Sequence, residues 1–395
     1  MNANLRSGIL NSLARLLAEN KSAIVAANRL DVAACPPDDA VILDRLKVDE
    51  AKVESMMASV RSVIATPDPV GKVISSHTRK DGLRIENRQV PFGTILIIYE
   101  ARPDVSVEAA IIALKAGNRI LLKGGKEARK TNLFLADLWQ KALAENNAAT
   151  DFVRYLDLSR EETQSLICGQ TEKFDLVIPR GGEALIDFVV KNSKAPVIVS
   201  GRGNNFLYFD SEADFEMALA ITLDGKTRLS VCNALDKILI HRELPDLESC
   251  IRKLASDFYN IGVEVFGDDA VCAIDVSIKQ IDDEAVWYEE FLAAKIAIGL
   301  VDNSAAAIEK INKYSGGHSA AIVTTNAETA EKFLREVDCA AVYHNASVRF
   351  TDGGELGLGA EIAISTQKLH FRGPLGAEHL LTNKWFVFGD GQVRS

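Results

Sequence analysis

Two doubly wound α/β domains with a small projecting β ribbon are what this 395-residue chain predicts. Three observations carry that prediction. From Thr94 onward, short apolar runs alternate with stretches of helical period. Glycine pairs follow two of those runs, at Gly124–Gly125 and Gly181–Gly182, where a strand would hand over to a helix. After a cysteine-bearing stretch at 225–233 the same alternation begins again, as a second parallel sheet requires.

The order of elements can be argued from the start. Leu10, Leu13, Leu16 and Leu17 recur at helical spacing and Ile24, Val25 and Leu30 continue the stripe, predicting one helix over 5–34 that Pro36–Pro37 stops. A second amphipathic helix spans 44–65 and ends at Thr66–Pro67. From Val73 to Val90 the period shortens around Asp81–Gly82, the pattern of a hairpin whose edge could pair with another subunit. Thr94–Tyr99 is almost wholly apolar, a buried parallel strand. Helix 105–116, strand 119–123, helix 127–145, strand 153–156, helix 159–170, strand 175–179, helix 183–192 and strand 196–200 follow. After helix 212–224 and the cysteine-bearing stretch, the second α/β layer is predicted from strand 237–241, helix 244–260, strands 271–274 and 295–300, helix 303–314, strand 320–324, helix 327–337 and strand 340–343. Residues 345–374 are loop-like, and an aromatic strand at 384–388 closes the chain. In such sheets ligands lie outside the carboxyl ends of the strands.

Composition narrows the function. Apolar residues make up 47% and charged residues 25%, ordinary for a globular protein, and the net charge of −10 offers no basic footprint for nucleic acid. Any anionic ligand therefore needs local cations. The first residues lack a signal-peptide core and no run reaches membrane-span length. Six scattered cysteines, without CxxC or zinc spacing, suggest thiols in a reducing cytoplasm and no metal.

Gly225–Lys226–Thr227–Arg228–Leu229–Ser230–Val231–Cys232–Asn233 is the stretch with most chemical promise. Cationic neighbours lower a cysteine's pKa and the thiolate is the nucleophile, although a cysteine is as often a small buried hydrophobe. Lys123–Gly124–Gly125–Lys126 places glycines and cations at a helix start, an anion site or simply a glycine turn with solvated lysines. Arg180–Gly181–Gly182 repeats the device. Two such turns in one sheet favour a dinucleotide, yet neither is GxGxxG. Arg349, in Asn345–Gly354, either binds a carboxylate or phosphate or pairs with Asp352 or Glu355. The histidines fall at no metal spacing, and no Ser/His/Asp arrangement supports hydrolysis.

Four blocks of the sequence resemble the γ-glutamyl phosphate reductases, a branch of the aldehyde dehydrogenase superfamily. They are Val90–Asp104, Leu122–Ala128, Asp175–Gly182 and, most specifically, Ala341–Ile362 with Ser365–Pro374. The resemblance implies NADPH-dependent reduction of L-glutamate 5-phosphate to L-glutamate 5-semialdehyde, with release of phosphate, in proline biosynthesis. It further implies an NADPH-binding domain (1–72 and 91–220, with 345–367 returning), a catalytic domain (221–344) at whose junction Cys232 acts, and an oligomerisation flap (73–90 and 368–395). By the same likeness, Lys123, Gly124, Gly125, Lys126, Arg180, Gly181, Gly182 and Glu290 serve the cofactor. Arg102, Asn345, Ser347 and Arg349 would meet the substrate. Lys126, in a place where NAD-using relatives often carry glutamate, favours NADPH. The partners implied are the substrate, further copies of the chain and a glutamate 5-kinase.

Some residues depart from the pattern. The run from Lys226 to Cys232 is one residue short and lacks a proline. Gly203–Asn204–Asn205–Phe206 stands where many relatives have a Cys-His pair. Asp104 replaces an asparagine that donates to the oxyanion, so it is either rotated away or positions Arg102, leaving that task to the Cys232 N–H. No acid stands near Val197–Gly203, where hydrolytic relatives activate water. A hydrolytic aldehyde dehydrogenase and a non-catalytic scaffold are the competing readings.

Overall fold

The structure is a computed structural model that describes residues 1–36 and 40–394, with side chains for all of these except residues 40 and 41. Pro37, half of the expected helix stop, and Ser395, the last residue of the expected flap, lie outside the described residues. The chain divides into two compact units. The first comprises Met1–Ser200, Gly357–Ala363 and Pro374–Ser395, and the second Gly201–Leu356 and Ile364–Gly373.

In the first unit a parallel sheet runs in the spatial order Val153–Tyr155, Arg119–Gly124, Thr94–Tyr99, Leu176–Arg180. One face is covered by an apolar cluster that includes Leu96, Ile98, Leu121, Val177 and Val189. Helix Ala3–Glu19 packs on helices Glu50–Ala65 and Arg129–Glu145. The expected single helix over 5–34 is two, Ala3–Glu19 and Lys21–Ala34, parted at Asn20, whose backbone leaves the helical region. The 44–65 helix is likewise divided: Ala40–Leu46 stops, and Asp49 caps a new helix by accepting a hydrogen bond from Lys52 N at 2.8 Å. The hairpin forms as Val73–Thr78 and Arg84–Pro91, and Leu381–Phe388 adds a third antiparallel strand to it. Residues 196–200 make only an isolated bridge, Val197 to Val177.

The main sheet of the second unit has seven strands among the described residues, all pairing in parallel, in the order Lys279–Gln280, Glu264–Gly267, Lys295–Val301, Leu235–His241, Asn205–Phe209, Ser319–Val323, Ala341–His344. Asn205–Phe209 was not anticipated, yet it is fully buried near the middle of the sheet. Leu207 and Phe209 enter one apolar cluster while Phe206 and Tyr208 enter the other, the two-residue alternation of a strand buried on both faces. That strand puts the division of the chain at Ser200/Gly201, not at 220/221. Residues 271–274, expected as a strand, belong to helix Asp269–Ile274, started by Asp268 accepting from Val271 N.

Candidate active site

Cys232 belongs to the second unit and lies just before strand Leu235–His241, half-buried. Its backbone, more than its side chain, is fixed by neighbours. The Asn205 amide donates to Cys232 O at 2.7 Å, to Ala234 O at 2.7 Å and to Gly203 O at 2.9 Å. Gly203 packs so tightly that a Cβ built there would stand 1.8 Å from Cys232 O, so only glycine fits. On the other side Asn233 donates to Arg349 O at 2.9 Å and to Thr351 O at 3.1 Å, and receives the Arg349 guanidinium on its Oδ1.

Glu290 joins this group. Its Oε1 accepts from Gly203 N at 2.9 Å, one residue contact away from the Cys232 backbone. The segment that carries it is pinned from strand Leu235–His241. Asp236 Oδ2 accepts from Phe291 N at 2.8 Å, and Lys237 Nζ donates to Glu289 O at 2.8 Å while lying 3.6 Å from the Phe291 ring centre. Burial pushes the Lys237 ammonium down to about 7, with Asp236 pulling the other way.

The stretch around Cys232 therefore differs from the sequence reading in its cations. Lys226 does not turn its charge on the thiol: it is buried and paired with Asp236 at 2.8 Å. Burial lowers its pKa and Asp236 opposes that. Removing either partner would strand a buried charge, at a cost of about 3–5 kcal/mol. The cation that reaches the cysteine loop is Arg349, and it does so through Asn233 instead of Asp352 or Glu355.

Two other residues of that loop are committed elsewhere. Asn345 sits in the left-handed region at φ 54° and spends its amide on the Thr324 backbone, accepting from N at 3.0 Å and donating to O at 3.1 Å. Ser347 is buried and caps the short turn Val348–Phe350, accepting from Arg349 N at 3.2 Å. Both shape the loop that delivers Arg349.

The glycine turns and Arg102 lie in the first unit. Lys123 ends strand Arg119–Gly124, half-buried, its Nζ donating to Gly124 O at 2.6 Å, and burial lowers its pKa. Gly124 faces Asn132, whose Nδ2 a Cβ would approach to 2.2 Å. Gly125 leads into the turn Lys126–Ala128 and helix Arg129–Glu145, with Lys126 exposed. At the second turn, Arg180 ends its strand and Gly182 caps helix Glu183–Asn192. The Gly182 N–H is already taken by Glu100 Oε2 at 2.8 Å, and a Cβ at Gly181 would meet the same carboxylate at 2.4 Å. An incoming phosphate there has to displace Glu100.

Glu100 opens the loop that continues through Ala101, in the left-handed region at φ 44° though buried, to half-buried Arg102 and Asp104. A non-glycine residue held there marks a backbone under strain. Asp104 forms an ion pair with Lys52. Burial of the nearby Glu108 carboxyl, with the negative charge of Asp104 adding to it, pushes that group up to about 8. Asp104 is thus neither rotated out to water nor left without a counter-charge.

These turns stand at the carboxyl ends of their strands, as expected. Gly203, Cys232, Glu290 and His318 instead precede strands Asn205–Phe209, Leu235–His241, Lys295–Val301 and Ser319–Val323, so the cysteine group lies at the amino ends of the second sheet. Among the described residues no cluster of three His, Cys, Asp or Glu could hold a metal, and no helix is long and apolar enough to cross a membrane.

Comparison with known proteins identifies the arrangement. The model of the aldehyde dehydrogenase family matches residues 1–271 and 276–357. The chain is 44% identical over 388 residues to the gamma-glutamyl phosphate reductase of Moorella thermoacetica, covering 98% of this chain and 92% of that one. It is 41% identical over 397 residues to the same enzyme of Dictyoglomus thermophilum, covering 100% and 95%. The crystal structure of gamma-glutamyl phosphate reductase from Thermotoga maritima superposes with a TM-score of 0.91 at 39% identity, covering 100% and 95%. The chain belongs to the aldehyde dehydrogenase family, in its gamma-glutamyl phosphate reductase branch.

Proposed function

We propose that this chain reduces L-glutamate 5-phosphate to L-glutamate 5-semialdehyde with release of phosphate, a step of proline biosynthesis, and that Cys232 is its nucleophile. The observation that carries the reading is the placement of Cys232 between Asn205, Gly203 and the Arg349 loop, in a chain aligned end to end with enzymes of that name.

The thiolate of Cys232 attacks the acyl carbon, the phosphate departs with its bonding pair, and a thioester joins substrate to sulfur. Phosphate is a good leaving group and needs little acid assistance. A nicotinamide cofactor, when bound, supplies hydride. Cys232 holds the acyl group until then and leaves as thiolate when the aldehyde forms. Arg349, anchored beside the cysteine through Asn233, supplies positive charge for the anionic substrate. Glu290, on the Gly203 N–H, is placed to orient the nicotinamide ribose.

The first unit's turns fit such a cofactor. Lys123 to Lys126 would hold the adenosine end, and exposed Lys126 supports NADPH over NADH because it offers a cation to a 2′-phosphate. Arg180 to Gly182 would face the phosphates once Glu100 moves aside. Assembly through the three-stranded flap is supported by its exposed Val73, Ile74, Trp385, Val387 and Phe388.

The test is phosphate-dependent oxidation of glutamate semialdehyde, read as NADPH absorbance. Wild type turns over with NADP+ and phosphate and Cys232→Ser does not. Turnover independent of phosphate would point to a hydrolytic enzyme and overturn the reading.

A further inference from the structure

We propose that Asn205 is the positioning residue for the Cys232 nucleophile, and that a buried hydrogen-bonded chain through His318, Ser319 and Thr351 holds it to that task. The inference rests on Cys232 being the reactive group.

The geometry is contained within the second unit. Asn205, His318, Ser319 and Thr351 are all 0% exposed. Three carbonyl oxygens, from Gly203, Cys232 and Ala234, converge within 2.9 Å on Asn205 Nδ2. Carbonyls accept and never donate, so this end of the amide must be the NH2 group and the opposite end its oxygen. That oxygen lies 3.0 Å from His318 Nδ1, which must therefore carry a proton and donate. The same Nδ1 is 2.6 Å from Ser319 Oγ, which is 2.8 Å from Thr351 Oγ1, which is 2.9 Å from Tyr343 OH. The one Nδ1 proton is shared between the Asn205 oxygen and Ser319 Oγ, and the Ser319–Thr351 and Thr351–Tyr343 bonds can each run in either direction.

Thr351 closes the circuit. Its carbonyl accepts from Asn233, the residue after the cysteine. Cys232 is consequently gripped on its own carbonyl by Asn205 and, one residue on, by the loop that Thr351 terminates. With the Cys232 carbonyl fixed, rotation about its backbone is restricted and the sulfur keeps a narrow arc. Asparagine suits the position because its NH2 group offers two N–H donors to a cluster of carbonyls.

The experiment uses the full-length enzyme with Asn205→Ala, Asn205→Asp and Thr351→Val. It reads kcat per titratable Cys232, KM for NADP+, and the rate of Cys232 alkylation by iodoacetamide followed on its own peptide. Misplacing a reactive group by about 1 Å costs about 100-fold in rate. The expected result for Asn205→Ala is a kcat loss of that order with KM for NADP+ changed by less than about threefold, at every pH. Asn205→Asp carries its own signature. Its ionised carboxylate faces three carbonyls and loses as much rate, but as the buried acid is protonated toward lower pH it regains one donor. About tenfold of the loss, relative to wild type, is expected to return. A merely structural role gives no such pH-dependent rescue. Thr351→Val, which keeps shape and backbone, is expected to lower kcat about fivefold, the equivalent of one neutral hydrogen bond.

Should the Asn205 variants not fold, Thr351→Val decides alone: kcat and alkylation rate equal to wild type would overturn the proposal. So would an Asn205→Ala enzyme within twofold of wild type, or losses in both Asn205 variants that only track the folded fraction. Alkylation is read without substrate, so a wrong substrate assignment leaves this test standing.

Discussion

The two units put their chemistry at opposite ends of their sheets, and each end demands a different device. In the first unit the glycine turns follow strands Arg119–Gly124 and Leu176–Arg180 and lead into helical turns, and at the second of them the Gly182 N–H donates to Glu100. In the second unit the segments around Gly203 and Cys232 precede their strands, where carbonyls are in excess. There a side-chain donor, Asn205, has to satisfy them. The first unit's turns are built from main chain and glycine, whereas the segment around Cys232 is held by a buried amide and a glycine that admits no substitute.

The sharpest way to break the comparison is Gly203→Ala. Its new methyl meets the Cys232 backbone, which cannot swing aside, so kcat is expected to fall by about 100-fold while NADPH binding, measured by fluorescence titration, holds. A drop in cofactor affinity of the same size would show that the two ends are not functionally separate. Lys126→Ala comes next: losing a charge-assisted contact to a 2′-phosphate raises KM for NADPH about tenfold and leaves KM for NADH nearly unchanged. Equal effects on both cofactors would remove Lys126 from the selectivity argument.

Buried charges extend the contrast to pH. Lys237, in the second unit, has its pKa lowered from 10.5 to about 7. Between those values the unfolded chain binds more protons than the folded one, so this group makes the folded form gain stability as pH rises from about 7. Glu108, in the first unit, is raised from 4.5 to about 8, and here the folded form binds more protons, so stability contributed by the group is lost as pH rises through that window. Calorimetry should show Lys237→Met and Glu108→Gln changing the pH slope of unfolding in opposite senses, each by about 1 kcal/mol over one pH unit or so. Slopes altered in the same direction would refute the assignment. Smallest of all is Gly181→Ala, whose methyl meets the tips of Glu100 and Leu185, flexible groups that yield, for a change of about threefold or less in cofactor KM.

Much of this was legible in the residues, for stated reasons. Apolar runs such as Thr94–Tyr99 have no reading other than a buried strand, and both glycine turns fall at their ends. Cys232 stood out by its neighbours, and Arg349 by the loop around it. What escaped depends on partners distant in sequence. Lys226 reads as an activator of the thiol until Asp236 is seen beside it. Asn205–Phe209 is hard to anticipate because Gly201, Gly203 and Asn204 precede it, although Phe-Leu-Tyr-Phe is a strand's composition. Helix Asp269–Ile274 was mistaken for a strand because four apolar residues carry no period, while the usable signal, the capping Asp268 three residues before Val271, was overlooked. Little local marks Asn205, since two of its three acceptors lie 27 and 29 residues further on.

Ala101 carries a consequence of its own. Held at φ 44° inside the protein, it stores roughly 1–2 kcal/mol that glycine would release. Lineages drifting toward hotter habitats would be offered that release by a single codon change, and would take it at the expense of a stiff loop ahead of Arg102 and Asp104. Alanine at this place trades that stability for a stiffer approach to Arg102 and Asp104.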